Sequence, residues 1–71
     1  MKKDDKVYLI SKNELVTDMP LNSIAIVDLI TSSMILLHWE NDNLTKFSNN
    51  IVVSNSEFKR IFSKNQKFET N

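Results

Sequence analysis

The chain has 71 residues, a formal net charge of zero, no cysteine and no glycine. A chain of this length makes one small domain, which buries only about 60% of the surface that its unfolded chain exposes. Without cysteine it has neither disulfides nor thiolate metal ligands. Without glycine it lacks the phosphate-binding loops of nucleotide-binding enzymes, in which the backbone must approach the phosphate closely.

A first strand is predicted from Lys6 to Ser11, with Val7 and Leu9 on one face. The segment 13–22 is rich in turn-forming residues and predicts a loop. Its proline, Pro20, belongs just before a strand or at a sheet edge, because proline cannot donate a hydrogen bond to a strand ladder. Apolar residues in this loop indicate that it folds back over one end of the core.

Two apolar runs, Ser23–Ile30 and Met34–Glu40, are separated by the polar trio Thr31-Ser32-Ser33. Short apolar runs split by a turn are typical of an antiparallel hairpin, and we expect this hairpin to form the centre of the core. In the first run the face that lacks Asp28 is the better candidate for the core. The residues predicted on the core side are Ala25, Val27 and Leu29 in the first run and Ile35, Leu37 and Trp39 in the second.

The opposite faces of these two strands are apolar as well. A small barrel covers only one face of its sheet, so we expect an exposed apolar surface. This surface is a candidate for homodimer formation by face or edge pairing. Its members are Ile24, Ile26, Met34 and Leu36.

The residues Asn41-Asp42-Asn43 predict a turn, because Asn and Asp tolerate the left-handed backbone better than most residues with a side chain. A fourth strand is predicted from Leu44 to Ser48. The apolar residues 51–53 are either its bent continuation or a separate short strand.

The segment after Val53 fits two structures. Ser54 to Glu57 matches the S-x-x-E capping box at a helix start. The same residues fit one helical turn followed by a closing strand in which Phe58, Arg60 and Phe62 alternate, and we favour the turn and strand. The predicted fold class is therefore mainly β: a five-stranded barrel over 6–62 with a short helix or 3-10 turn near 54–60, preceded by an extension (1–5) and followed by a polar, flexible tail (63–71).

Candidate catalytic groups are few. His38 is the only histidine, and it shares its predicted strand face with Met34 and Leu36, with no carboxylate at an obviously matched spacing. A structural or surface histidine is therefore predicted. One histidine without cysteine supports neither a transition-metal site nor a catalytic triad. We predict that the protein is not an enzyme and uses no cofactor or metal.

The chain shows no recognisable export signal, and its apolar runs fall short of the roughly 20 residues that span a bilayer. We expect a cytoplasmic protein with no membrane partner.

The charges are unevenly distributed. Residues 13–42 contain five acidic residues and no Lys or Arg, which predicts an acidic surface able to mimic nucleic-acid phosphates towards a basic partner protein. Trp39 lies beside it and is predicted to be a core anchor; an exposed Trp39 would instead be a binding hot spot. The acidic residues are Glu14, Asp18, Asp28, Glu40 and Asp42.

The C-terminal segment provides an alternative surface for nucleic acid, because its basic residues alternate with phenylalanines that can stack on bases. The basic residues are Lys59, Arg60, Lys64 and Lys67, and the phenylalanines are Phe58, Phe62 and Phe68. The zero net charge argues against this alternative, since dedicated nucleic-acid binders carry a basic surface.

The segment PLNSIAIV, residues 20–27, resembles the Pro-Gly-Thr-x-Gly-x-Val strand entry of SH3-like and KOW-like small barrels. The segment ILLHWEND, residues 35–42, resembles their later strand ending in Trp-Asp-Asn-Gly. Where the family has glycine, this chain has Asn22, Ala25 and Asp42 or a neighbour. The resemblance is to small SH3-like domains of bacteria and phages, covers residues 6–62, and implies a five-stranded barrel that binds rather than catalyses.

Together, these observations predict a small protein-binding module, a phage or mobile-element accessory that modulates or inhibits a host or defence protein. The alternatives are a nucleic-acid-binding accessory that uses the basic C-terminal segment, and a structural component of a larger assembly.

Overall fold

The computed structural model describes residues 1–11, 19–41 and 49–65. These residues form an antiparallel sheet that curls into a half-barrel, with the strand order β4-β3-β2-β1-β5 and one short helix. The fold is therefore mainly β, as predicted. The elements are β1 (Lys6–Leu9), β2 (Ile24–Ile30), β3 (Met34–Trp39), β4 (Asn50–Ser54), α1 (Asn55–Ile61) and β5 (Phe62–Ser63).

The hairpin of β2 and β3 lies at the middle of the sheet and confirms the central prediction from the sequence. Its turn is held by Thr31. The Thr31 backbone N–H donates to the Met34 carbonyl at 2.8 Å, and the Thr31 hydroxyl oxygen accepts from the Met34 N–H at 2.9 Å. Polar side chains that bond to nearby backbone in this way favour turns over continued strand.

The register of this hairpin is interrupted at Asp28. Val27 lies opposite Leu37 and Leu29 lies opposite Leu36, so Asp28 is an extra residue in β2. A bulge of this kind reverses the alternation of side chains beyond it. The prediction that Leu29 lines the core was therefore wrong: its residue surface is 54% exposed.

The core lies on the concave side of the sheet and is capped by α1. The alternation predicted for β1 and β3 is confirmed, and the buried Met19 agrees with the expectation that the loop before β2 covers one end. The buried residues are Val7, Leu9, Met19, Ala25, Val27, Ile35, Leu37, Trp39, Ile51, Val53, Phe58, Ile61 and Phe62.

The segment after β4 forms a seven-residue helix followed by the short strand β5, so the favoured short closing strand is present, whereas the expected alternation of Phe58, Arg60 and Phe62 in that strand was wrong. Ser54 is the N-cap, and its hydroxyl oxygen accepts a hydrogen bond from the Glu57 N–H at 3.2 Å. Phe58 and Ile61, three residues apart, both face the core. The closing strand exists only as β5, which pairs with β1.

The predicted strand Leu44–Ser48 and most of the turn before it lie outside the described residues, whereas residues 51–53 belong to β4. Across the described ranges, no helix has the length and apolar character needed to cross a membrane.

Candidate functional site

The convex side of the sheet carries apolar side chains that the core does not use. We call it the outer face. Leu29, Met34 and Val52 are its most exposed apolar residues, at 54%, 47% and 53%. The members of the outer face are Ile24, Ile26, Asp28, Leu29, Met34, Leu36, His38 and Val52. The four residues singled out from the sequence as an oligomer face therefore all lie on one surface, three of them half-buried and Met34 exposed.

A carboxylate and an imidazole meet in the middle of this face. The His38 Nδ1 lies 2.8 and 2.9 Å from the two carboxylate oxygens of Asp28, and each side chain is about one-third exposed, at 34% and 32%. The expectation that His38 has no carboxylate within reach was therefore wrong. The alternation pattern had placed both residues on the apolar outer side of their strands, but the bulge that brings Asp28 to His38 leaves no signal in the sequence.

The Asp28 carboxylate orients the imidazole of His38, since an Nδ1–H bonded to a carboxylate fixes the ring and its tautomer. Acid–base catalysis needs further groups around such a pair. Within residues 1–11, 19–41 and 49–65, no group of three or more His, Cys, Asp or Glu side chains could hold a metal ion. The geometry supports a positioned polar contact within an apolar surface.

A second charge pair borders the outer face. The Lys6 Nζ lies 2.8 Å from the Glu40 Oε1, and both side chains are exposed. The hydrogen bond from this ammonium group and the negative charge of Glu40 raise the pKa of Lys6 above its ordinary value of 10.5. In the register of the sheet, Lys6 lies opposite Ile26.

The structure does not assemble the predicted acidic surface from its described members. Asp28 is bonded to His38 and Glu40 to Lys6. The other three residues of the set, Glu14, Asp18 and Asp42, lie outside the described residues.

The described basic residues of the C-terminal segment are exposed, but its described phenylalanines are not available. Lys59, Arg60 and Lys64 face solvent, and Arg60 also contacts Glu57 at 3.2 Å. Phe58 and Phe62 are buried and stack on each other, with ring centroids 5.5 Å apart. They cannot stack on bases, so that part of the nucleic-acid interpretation was wrong; Lys67 and Phe68 lie outside the described residues.

Trp39 belongs to the core, which confirms the favoured interpretation. It is only 4% exposed, and its ring centroid lies 5.8 Å from that of Phe62. A tryptophan buried in this way stabilises the barrel and does not offer a hot spot to a partner.

An open pocket of about 270 Å³ lies at one end of the sheet, where the loop before β2 meets the end of β3. This volume is below the roughly 300–1,000 Å³ typical of small-molecule sites. The sequence carries no signal for the pocket, because it forms where two segments distant along the chain, 19–24 and 40–41, meet in the fold. The lining residues are Met19, Pro20, Leu21, Asn22, Ser23, Ile24, Glu40 and Asn41.

In comparisons with known proteins, no family model, no curated protein and no solved structure matches this chain.

Proposed function

We propose that this protein is a small non-enzymatic binding module that docks a protein partner on its outer face. The observation that carries the proposal is the exposure of Leu29, Met34 and Val52 side by side on three strands that pack no further layer among the described residues. Contiguous exposed apolar patches larger than a few hundred Å² are uncommon on monomers, and such patches mark interaction sites.

The position of this surface on a regular sheet supports binding energetically. Burial of apolar area contributes roughly 25 cal/mol per Å². The backbone of β2 and β3 is already held by the hairpin register, so a partner does not have to order it. The ordering cost of binding is therefore smaller than it would be for a flexible segment.

The polar groups of the outer face indicate the chemistry of the partner. Asp28 is matched by His38, and Glu40 is matched by Lys6. Interface centres are depleted in charged residues, and an unmatched buried charge is costly. We infer a partner surface that is apolar and uncharged at its centre, rather than the basic partner that an acidic mimic requires.

Two features support an SH3-like form of the barrel. Asn22 has a φ of 68°, in the left-handed region that favours glycine, and it occupies a position where the SH3-like family has glycine. β5 returns to pair with β1, as expected when a five-stranded sheet curls towards closure. The role of a phage or mobile-element accessory acting on a host or defence protein rests on the resemblance alone and is part of the proposal.

The test compares two matched leucine substitutions. Tagged wild-type protein, Leu29→Lys and Leu21→Lys are used to capture partners from host extract, and the captured protein is then purified and titrated by calorimetry. Leu29 lies on the outer face, whereas Leu21 is an exposed leucine, at 42%, beside the pocket. We expect stoichiometric binding, weakened at least about tenfold by Leu29→Lys, which corresponds to about 1.4 kcal/mol, and little changed by Leu21→Lys.

Unchanged affinity of Leu29→Lys would exclude the outer face as the docking surface. A loss confined to the double variant Lys59→Glu and Lys64→Glu, together with a salt-sensitive shift of DNA or RNA in gels, would favour the nucleic-acid alternative instead.

A further inference from the structure

The outer edge of β4 carries a second interaction surface, made of backbone groups, beside the outer face to which the Val52 side chain belongs. Among the described residues β4 is the last strand in the sheet order, and there it pairs with β3. Two backbone hydrogen bonds fix which of its groups point towards β3: Trp39 N–H donates to the Asn49 carbonyl at 3.2 Å, and Asn55 N–H donates to the Ser33 carbonyl at 3.1 Å.

In an antiparallel ladder, residues bonded to the neighbouring strand alternate with residues whose N–H and C=O point the other way. The bonded positions 49 and 55 therefore imply that Ile51 and Val53 also bond to β3, opposite Leu37 and Ile35. Val52, between them, directs its N–H and C=O to the open edge. Within the described part of the chain, neither group bonds to another strand.

The sequence of β4 itself carries none of the usual protection against pairing. Proteins block exposed strand edges with lysine, proline, bulges or a covering segment. β4 reads NIVVS, which contains no charge and no proline, and its register with β3 runs without a bulge. The helix that follows begins at Asn55, whose backbone N–H donates to the Ser33 carbonyl just before β3.

The edge is also self-complementary. The outward-pointing positions of β4 are 50, 52 and 54, which are symmetric about Val52. Two antiparallel copies of β4 can be related by a two-fold axis at Val52. The Val52 N–H of each copy then donates to the Val52 carbonyl of the other, and position 50 of each copy lies opposite position 54 of the other. β4 itself carries no charged side chain that would oppose this approach.

We propose that the protein forms a symmetric dimer by antiparallel pairing of β4 with β4 of a second copy, centred on Val52. The pairing continues the sheet from one copy into the other. It joins the two outer faces and brings the exposed Val52 side chains, 53% exposed in each copy, into contact. This inference is independent of the proposed partner binding, although the dimer would present two docking faces in one sheet.

The most direct test is amide hydrogen exchange by NMR, with sedimentation measured on the same samples from micromolar to millimolar concentration. In the monomer the Val52 amide faces solvent and exchanges quickly, whereas the amides of Ile51 and Val53 are protected by β3. We expect a monomer–dimer equilibrium in which protection of the Val52 amide rises with the dimer fraction. A monomer at every concentration, or a dimer in which the Val52 amide still exchanges quickly, would overturn the proposal.

A pair of variants at one position separates backbone pairing from side-chain contact. Val52→Pro removes the edge N–H, and proline is tolerated at strand edges where that group faces solvent. Val52→Thr keeps the N–H and the branched shape. We expect Val52→Pro to be monomeric and Val52→Thr to dimerise; equal dimerisation of both, with native spectra, would contradict backbone pairing. If Val52→Pro does not fold, the exchange rate of the Val52 amide in the wild-type protein, measured against the dimer fraction, tests the proposal.

Discussion

Asp28 shows how one inserted residue changes a surface. Sequence alternation placed Asp28 away from the core, and the structure agrees, but the bulge also turns Leu29 outwards and brings Asp28 to His38. The apolar or polar character of each strand was readable from the sequence. The bulge was not, because it arises from the fit between two strands and leaves no distinctive residue such as glycine.

The coupling between Asp28 and His38 is measurable by a double-mutant cycle. For Asp28→Ala and His38→Ala, we expect a coupling free energy of about 1 kcal/mol in urea unfolding, because each group shields the other within a partly buried apolar surface. The matched control is the more exposed pair Glu57 and Arg60, for which about 0.3 kcal/mol is expected. Equal coupling in the two cycles would show that the Asp28–His38 contact is not formed as described.

The Lys6–Glu40 pair gives a pH prediction. Glu40 raises the pKa of Lys6 in the folded state. The pair therefore makes its full contribution to stability at pH values below the ordinary lysine pKa of 10.5, and this contribution is lost as the pH rises through the raised pKa. An NMR titration of the Lys6 ammonium should give a midpoint above 10.5 in the wild type. In Glu40→Gln the midpoint should fall back towards the ordinary value. The same midpoint in both proteins would mean that the pair does not form in solution.

Among the elements, the helix after β4 is the one that a capping pattern in the sequence predicts. The S-x-x-E pattern at Ser54 and the spacing of Phe58 and Ile61 both indicate a helix, whereas alternation of Phe58, Arg60 and Phe62 indicates a strand. The helix forms because the Ser54 hydroxyl satisfies the Glu57 N–H and because Phe58 and Ile61 close the open side of the half-barrel. Only the second of these causes depends on the tertiary structure, which the sequence does not display.

The cap predicts a specific loss of stability. Ser54→Ala should lower the free energy of unfolding by about 1 kcal/mol, since it removes the acceptor at the helix N-terminus. The control is Lys59→Ala, an exposed position of the same helix outside the cap where alanine favours helix, so little change is expected. Thermal or urea unfolding measures both variants, and an equal loss in the two would argue against a capped helix.

At the scale of the whole molecule, two leucines distinguish the two sides of the sheet. Leu37 is fully buried and Leu29 is exposed. Leu37→Ala should destabilise the fold by about 2–5 kcal/mol through the cavity it leaves, whereas Leu29→Ala should change stability by no more than about 0.5 kcal/mol. Urea unfolding tests the pair. Comparable losses in both variants would mean that the outer face is covered in the free protein.

The hairpin, the fold class and most of the core followed from apolar alternation, because burial on one side of a sheet imposes a period of two. The sequence predicted only part of the candidate site. The sequence indicated that Ile24, Ile26, Met34 and Leu36 are more apolar residues than a small core can bury. Leu29 lies on the same face because of the bulge, and Val52 lies exposed there because β4 is at the edge of the sheet.

Oxidation of the methionines tests whether the outer face is open in the free protein and covered when a partner is bound. Met34 and Met1 are exposed, at 47% and 44%, and Met19 is buried. With dilute peroxide, mass spectrometry should show Met34 oxidised about as fast as Met1 in the free protein, and Met34 alone protected once the captured partner is bound. Protection of Met34 in the free protein, or an unchanged rate in the complex, would contradict the account.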